Sequence, residues 1–268
     1  MKYLIETALL THGLRSLTNN YLLENWTLPE ALIAWIYKGE IKIGTITKYL
    51  SFRTEAQSAI RIDCSILENA LKNGVSGALT ASGTMAVCKK LGIPAAVTCG
   101  MGGIGEIKGE ELCPDLPALA EIPIILISTG PKDMLERKAT VSWLTSHGVQ
   151  VIGANRGFCT GYLFHGEPVK LQGVLRSAGC RTKAGMPEGE LCPPLLIINE
   201  IPEKLRVSDR QILTEAIIEG KRAEQEGRYY HPAANGKIDQ MTNRYSSEIQ
   251  LASLLDNARL AGQIESSR

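Results

Sequence analysis

Ile122-Pro123-Ile124-Ile125-Leu126-Ile127-Ser128-Thr129-Gly130-Pro131-Lys132-Asp133 is an apolar run that ends in small and polar residues. Its apolar part is short, rich in Ile and bounded by turn formers, so residues 122–127 read as a strand buried on both faces. Residues 131–147 open on Pro and stop before Gly148, the asymmetry expected of a helix. The pattern repeats outward. Upstream, 80–91 reads as a helix of small residues closed by Gly92, and 93–98 as a second apolar strand. Downstream, 149–152 and 195–198 read as strands, and 207–225 and 246–264 as long amphipathic helices. Towards the N-terminus, 3–10 reads as a strand. Residues 31–37 turn at Lys38-Gly39-Glu40 into 41–43 as a hairpin, and 66–71 form a short helix closed by Asn73-Gly74. Apolar strands alternating with helices imply a mostly parallel sheet between helical layers, an α/β fold. No linker, repeat or low-complexity tract interrupts the chain, so residues 1–268 read as a single domain.

Composition narrows the function. Among 268 residues, 29 Lys and Arg balance 28 Asp and Glu, a net charge of +1. That lacks the basic excess of a protein held to nucleic acid by bulk electrostatics. A hydrophobic content of 44% is enough for a sizeable core. With 5% aromatics and 26 Gly, tight turns and close backbone approaches are favoured over an aromatic-cage binding module. The cysteines, Cys64, Cys88, Cys99, Cys113, Cys159, Cys180 and Cys192, are odd in number and none are spaced as CxxC. They fit buried thiols of a reducing compartment better than a disulfide framework or zinc ribbon. The opening Met1-Lys2-Tyr3-Leu4-Ile5-Glu6 meets an acid at once and lacks the apolar run expected of a signal peptide, and no stretch reads as apolar enough to span a membrane. A cytoplasmic protein is expected.

In open α/β sheets, ligands sit beyond the carboxyl ends of the strands, which directs attention to the loops after 98 and after 127. Gly100-Met101-Gly102-Gly103-Ile104-Gly105 formally matches a dinucleotide fingerprint. It leads into Glu106-Ile107-Lys108-Gly109-Glu110-Glu111, an acidic loop with no helical period. These glycines serve better as bare backbone lining a pocket, or simply as a tight turn. Glu111 and Asp115, four residues apart, could share metal binding and proton transfer, or be solvated surface acids. Lys132 falls in the first turn of the 131–147 helix, where the dipole disfavours a cation and lowers its pKa. A neutral amine there could attack a sugar carbonyl to form an imine. The alternative is an exposed lysine beside Asp133, and the residues alone leave both open. Glu6 lies inside an apolar strand, where an acid is costly unless paired or functional. The histidines, His12, His147, His165 and His231, form no metal-binding pair such as HExxH.

Glu6-Thr7-Ala8-Leu9-Leu10-Thr11-His12-Gly13-Leu14 resembles the opening of the pseudouridine-5′-phosphate glycosidase family, also called indigoidine synthase A-like proteins. The likeness recurs in order: Lys42-Ile43-Gly44, Arg61-Ile62-Asp63, Thr80-Ala81-Ser82-Gly83-Thr84-Met85, Thr98-Cys99-Gly100-Met101-Gly102-Gly103, Gly130-Pro131-Lys132-Asp133, Asn199-Glu200-Ile201-Pro202 and Asp256-Asn257-Ala258-Arg259. This resemblance implies a three-layer α/β/α fold with a mixed, mostly parallel sheet, a homotrimer and a divalent metal, typically Mn2+. It implies reversible cleavage of the C–C glycosidic bond of pseudouridine 5′-phosphate to uracil and ribose 5-phosphate, through a lysine imine at C1′. Carried over residue by residue, Lys132 is the nucleophile, Glu6 the proton donor and shuttle, and Asp115 a sugar contact that assists proton transfer. Glu111 falls on the metal ligand, where the family has Asp. Cys113, Pro114, Thr80, Ala81 and Thr98 fall on substrate-binding segments.

Several positions depart from the family. Ser58 stands where the family has a substrate-binding Lys, and nearby Arg61 could clamp the phosphate instead. Gly105 or a gap replaces a histidine. Gln250 stands where an Asn touches uracil, and the substrate tripeptide is Cys-Pro-Asp rather than Ser-Ala-Asp. The alternatives are a C-glycosynthase or glycosidase acting on a different C-nucleoside, or a non-catalytic sugar-phosphate-binding homologue. A nicotinamide or flavin oxidoreductase is more distant.

Overall fold

The computed structural model describes residues 2–56, 59–175 and 191–266; Ser58 and Cys180 lie outside them. In chain order the strands are β1 (Tyr3–Ile5), β2 (Ile33–Tyr37), β3 (Glu40–Gly44), β4 (Ile60–Ile62), β5 (Gly77–Leu79), β6 (Ala95–Val97), β7 (Gly100–Met101), β8 (Ile125–Ser128), β9 (Gly130–Pro131), β10 (Gln150–Gly153), β11 (Phe158–Cys159), β12 (Val169–Lys170) and β13 (Leu195–Ile198). The helices are α1 (Asn19–Asn25), α2 (Ile46–Glu55), α3 (Leu67–Lys72), α4 (Ala81–Leu91), α5 (Asp115–Glu121), α6 (Arg137–Ser146), α7 (Arg210–Gln225), α8 (Tyr230–Met241) and α9 (Tyr245–Ser266).

The main sheet runs β10-β13-β8-β6-β1-β2-β5-β4, with β3 paired to β2. Neighbours from β10 to β2 are parallel. β3 and β5 both run antiparallel to β2, so the sheet is mixed. Register explains its burial. Ile5, Val97, Ile127, Ile197 and Ile152 align across the strands. They face a core shared with α2, α7, α8 and α9. The row one residue earlier, Leu4, Ala96, Leu126, Leu196 and Val151, faces the opposite core, shared with α3, α4, α5 and α6. Two apolar faces explain the continuous apolar runs and give three layers, as expected. Immediately beyond the last apolar row come Glu6, Thr98 and Ser128. Polar chemistry therefore begins where the strands end.

Helix α4 follows its sequence signals. The Thr80 hydroxyl accepts the Gly83 amide at 3.3 Å, and Gly92 closes the helix at φ +65°. Two expected boundaries move furthest. The first strand stops at Ile5, and residues 9–13 coil into a π-helical turn rather than extending to 10. The Thr7 hydroxyl causes the break: it donates to the Ala34 carbonyl and accepts the Leu79 amide, both at 2.9 Å. The helix expected over 131–147 begins only at Arg137. The amides ahead of it are already used, Lys132 N–H bonding the Met101 carbonyl at 3.2 Å and Glu136 N–H the Ile104 carbonyl at 2.8 Å. Gly130, at φ +132°, makes the turn that lets β9 pair with β7. Helix α8 was not apparent in the sequence, because Pro232 and Gly236 disguise it. Among the described residues six cysteines are free thiols, and no helix is long and apolar enough to cross a membrane.

Candidate active site

Two cavities open at the carboxyl ends of β1, β6 and β8, and Arg61, Thr80, Asp115, Lys132 and His231 line both. The first is lined further by Glu6, Gly100, Ala81, Tyr162 and Gln250 and by apolar Leu9, Met134, Leu163 and Ile238. The second is more polar, with Asp63, Ser82, Glu110, Cys113 and Tyr229. The structure thus gathers Glu6, Asp115 and Lys132 beside the glycine loop from three separate segments.

The loop itself is a hairpin. Ile104 bridges Leu112, and the Cys113 amide bonds the Gly103 carbonyl at 3.1 Å. No helix opens at Gly105, so the dinucleotide fingerprint is empty of its required context. The hairpin returns the chain so that Asp115 reaches Gly102. Asp115 Oδ2 accepts the Gly102 amide at 2.8 Å, and Oδ1 accepts the Ser82 amide at 2.9 Å. The carboxylate is therefore fixed between the loop and the start of α4. Gly102 has to be glycine, because a Cβ there would collide with the Cys113 sulfur. Burial and the neighbouring Asp115 push the Cys113 thiol well above its ordinary pKa, which suits a wall rather than a thiolate nucleophile.

Lys132 lies on the turn between β9 and α6, so the helix dipole invoked from the sequence is not what tunes it. Enclosure by protein, and then the Arg61 guanidinium, lower its pKa. Glu6 is 5% exposed. Burial raises its pKa to about 7, against the pull of Lys132 and the Thr98 hydroxyl. Asp133 is not a surface partner of Lys132. It is buried and accepts the amides of Tyr162, Leu163 and Phe164 at 2.8, 2.7 and 3.0 Å, which locks the wall beside the lysine.

Gln250, on α9, is 1% exposed. Its Oε1 accepts the Tyr162 hydroxyl at 2.9 Å, while its Nε2 has no protein partner. Cys99 Sγ lies 3.1 Å from the same hydroxyl. Behind this, Asn257 Nδ2 donates to the Thr98 carbonyl at 2.8 Å and to the Thr129 hydroxyl at 3.0 Å, tying α9 to the strand ends.

Of the residues expected from the sequence, Thr80, Ala81, Arg61 and Gln250 line the first cavity, and Cys113 and Pro114 the second. Thr98 lines neither cavity; its hydroxyl lies beside Glu6 and draws that acid's pKa down. Glu111 does not join them: it is exposed, and its carboxylate accepts the Gly109 amide at 3.2 Å. Its neighbour Glu110 faces the cavity instead. Among the described residues no three His, Cys, Asp or Glu side chains cluster as a metal site. Both oxygens of Asp115 are already engaged by amides. Among the described residues these side chains do not form a protein cage for a divalent ion. Sequence reasoning missed His231 and Tyr162, whose distant elements fold over the lysine; no spacing in the chain signals either.

The sequence matches the family model described as Indigoidine synthase A like protein over residues 5–267. A protein of Kosmotoga olearia named pseudouridine-5′-phosphate glycosidase is 25% identical, covering 97% of this chain and 94% of its own length. One of the same name from Thermotoga neapolitana is 28% identical over 87% of this chain and 81% of its own. An indigoidine synthase A-like protein of Thermotoga maritima has the same fold, with a TM-score of 0.80 and 23% identity, covering 98% of this chain and 91% of that one. The prealnumycin C-glycosynthase AlnA, solved with ribulose 5-phosphate, has a TM-score of 0.75 at 23% identity, covering 98% and 89%.

Proposed function

This chain belongs to the indigoidine synthase A-like family, and from that membership and its site we propose that it reversibly cleaves the C–C glycosidic bond of pseudouridine 5′-phosphate. The observation that carries this reading is the convergence of an enclosed lysine, an acid whose pKa lies near 7 and an anchored aspartate on one junction between a polar and a more apolar cavity. The more apolar arm suits a planar heterocycle, the polar arm a sugar phosphate.

Lys132 attacks C1′ as a neutral amine, and the C1′–O4′ bond breaks as Glu6 gives its proton to O4′. The nitrogen then loses a proton to Glu6. The electron pair of the C1′–base bond leaves with the base carbon, which takes that proton back from Glu6, while the nitrogen lone pair closes the C=N bond. Water hydrolyses the imine and frees ribose 5-phosphate. A proton carrier with a pKa near the working pH suits both transfers. Asp115 holds the sugar, and Arg61 is the cation available to the phosphate.

Borohydride trapping with ribose 5-phosphate tests the reading, run with and without added Mn2+. Reduction of the imine should leave a sugar-phosphate adduct on Lys132, located by peptide mass spectrometry. No adduct on that residue under either condition would sink it. The apolar arm and Gln250 leave room for another base, so uracil should be compared with other heterocycles in the synthetic direction. A faster reaction with one of those would make the chain a C-glycosynthase.

A further inference from the structure

The second residue of α8 faces the lysine from the far side of the junction. His231 is 7% exposed and lines both cavities together with Lys132, Arg61, Thr80 and Asp115. Its Nε2 lies 3.6 Å from a Glu110 carboxylate oxygen, whereas its Nδ1 is buried with no protein partner. A histidine buried only for packing normally satisfies both nitrogens. The ring is held by edge-on packing with Tyr230, centroids 5.5 Å apart, and by Pro232, which brings no amide hydrogen to compete for Nδ1.

We propose that His231 is a substrate-contacting residue whose Nδ1 accepts a hydrogen bond from a hydroxyl of the sugar. The inference rests on the function proposed above, because Lys132 marks where C1′ sits and His231 shares that junction. Glu110 opposite Nε2 favours the tautomer protonated there, which leaves Nδ1 as an acceptor. Burial and the cations Lys132 and Arg61 depress the pKa of the imidazole well below its ordinary value, so it stays neutral. A neutral acceptor requires a donor. Sugar hydroxyls supply one, and a phosphate dianion does not. The contact therefore selects for the polyol rather than for the phosphate.

Binding of ribose 5-phosphate, uracil and inorganic phosphate is measured by calorimetry for the wild type, His231→Leu and His231→Gln. His231→Leu should weaken ribose 5-phosphate about tenfold or more and leave uracil within about twofold, with KM raised far more than kcat is lowered. His231→Gln, which keeps an acceptor, should recover most of the affinity. In the wild type carrying 15N-labelled histidine, ribose 5-phosphate should move the His231 Nδ1 resonance while uracil and inorganic phosphate should not; this holds even if His231→Leu fails to fold. A trapped adduct on Lys132 with an unmoved Nδ1 resonance overturns the role of His231 alone, as does a shift caused by inorganic phosphate. If the wild type forms no adduct and binds no ribose 5-phosphate, the proposed function falls and this inference with it.

Discussion

Two clusters of charge stand at the same edge of the sheet and are built on opposite principles. Beyond β10 and β13, Glu200 is saturated: Oε1 accepts from the Thr160 amide at 2.6 Å, the Gly161 amide at 3.0 Å and Arg206 at 3.1 Å, while Oε2 accepts from Arg156 at 2.6 Å. Arg206, with a side chain 2% exposed, spends its other nitrogens on the Ile201 carbonyl and the Thr160 hydroxyl. Beyond β1 and β8, Glu6 is buried and Lys132 half-buried, yet among the described residues neither closes an ion pair. The first cluster compensates its desolvation internally and fastens loops. The second has no such internal network, and displaced pKa values accompany it, a pattern common at functional sites.

The contrast can be broken in several ways. The largest effect should come from Lys132→Ala, which should lower turnover by about 10⁴-fold or more, as when a covalent nucleophile is removed. It should leave the urea midpoint unchanged or higher, since a desolvated amine is lost. A destabilised Lys132→Ala would mean that the lysine is structural. Glu200→Ala should do the reverse, costing about 3–5 kcal/mol in chemical denaturation by stranding buried Arg206.

Glu6 offers a test by pH. Its folded pKa of about 7 lies above the unfolded value of 4.5, so its proton stabilises the fold at low pH and that stability is lost as pH rises from 4.5 through 7. The loss should be on the order of 3 kcal/mol. Glu6→Gln should melt close to the wild type at pH 4.5 and above it at pH 8, with turnover lost. Equal melting temperatures at pH 8 would show that Glu6 is not desolvated. The smallest effect belongs to Tyr162→Phe, which removes the bond to Gln250 Oε1 and should cost about 1 kcal/mol of stability. A large loss of turnover from that variant would move Gln250 from wall to reaction centre.

The core was legible because each central strand is apolar on both faces, and Leu126 and Ile127 announce that without help from their neighbours. The candidate site residues were legible less directly. Glu6 stood out as an acid in an apolar run, but Lys132 was placed on the wrong element, because the bond from its amide to Met101 is invisible to helix signals. The order of magnitude of enclosure around it was equally hidden, since Arg61 and His231 come from separate parts of the chain. Glu111 looked like half of a carboxylate pair with Asp115, yet the hairpin turns it outward and brings Glu110 in. His231 could not be found at all, because its meaning lies in an unpaired nitrogen.

The short ladder between β7 and β9 has a consequence for how this architecture diversifies. It joins the glycine loop that anchors Asp115 to the turn that carries Lys132, a clip of backbone hydrogen bonds that needs glycine at 102 and 130 and the Asp115 carboxylate. The apolar lining comes from Leu9 of the π-helical turn and Ile238 of α8, and also from Met134 and Leu163 beside the lysine. Substitutions at Leu9 or Ile238 can reshape that lining from elements outside the β7–β9 ladder that places the lysine. The lysine's position and part of the cavity's shape are thus set by different stretches of the chain.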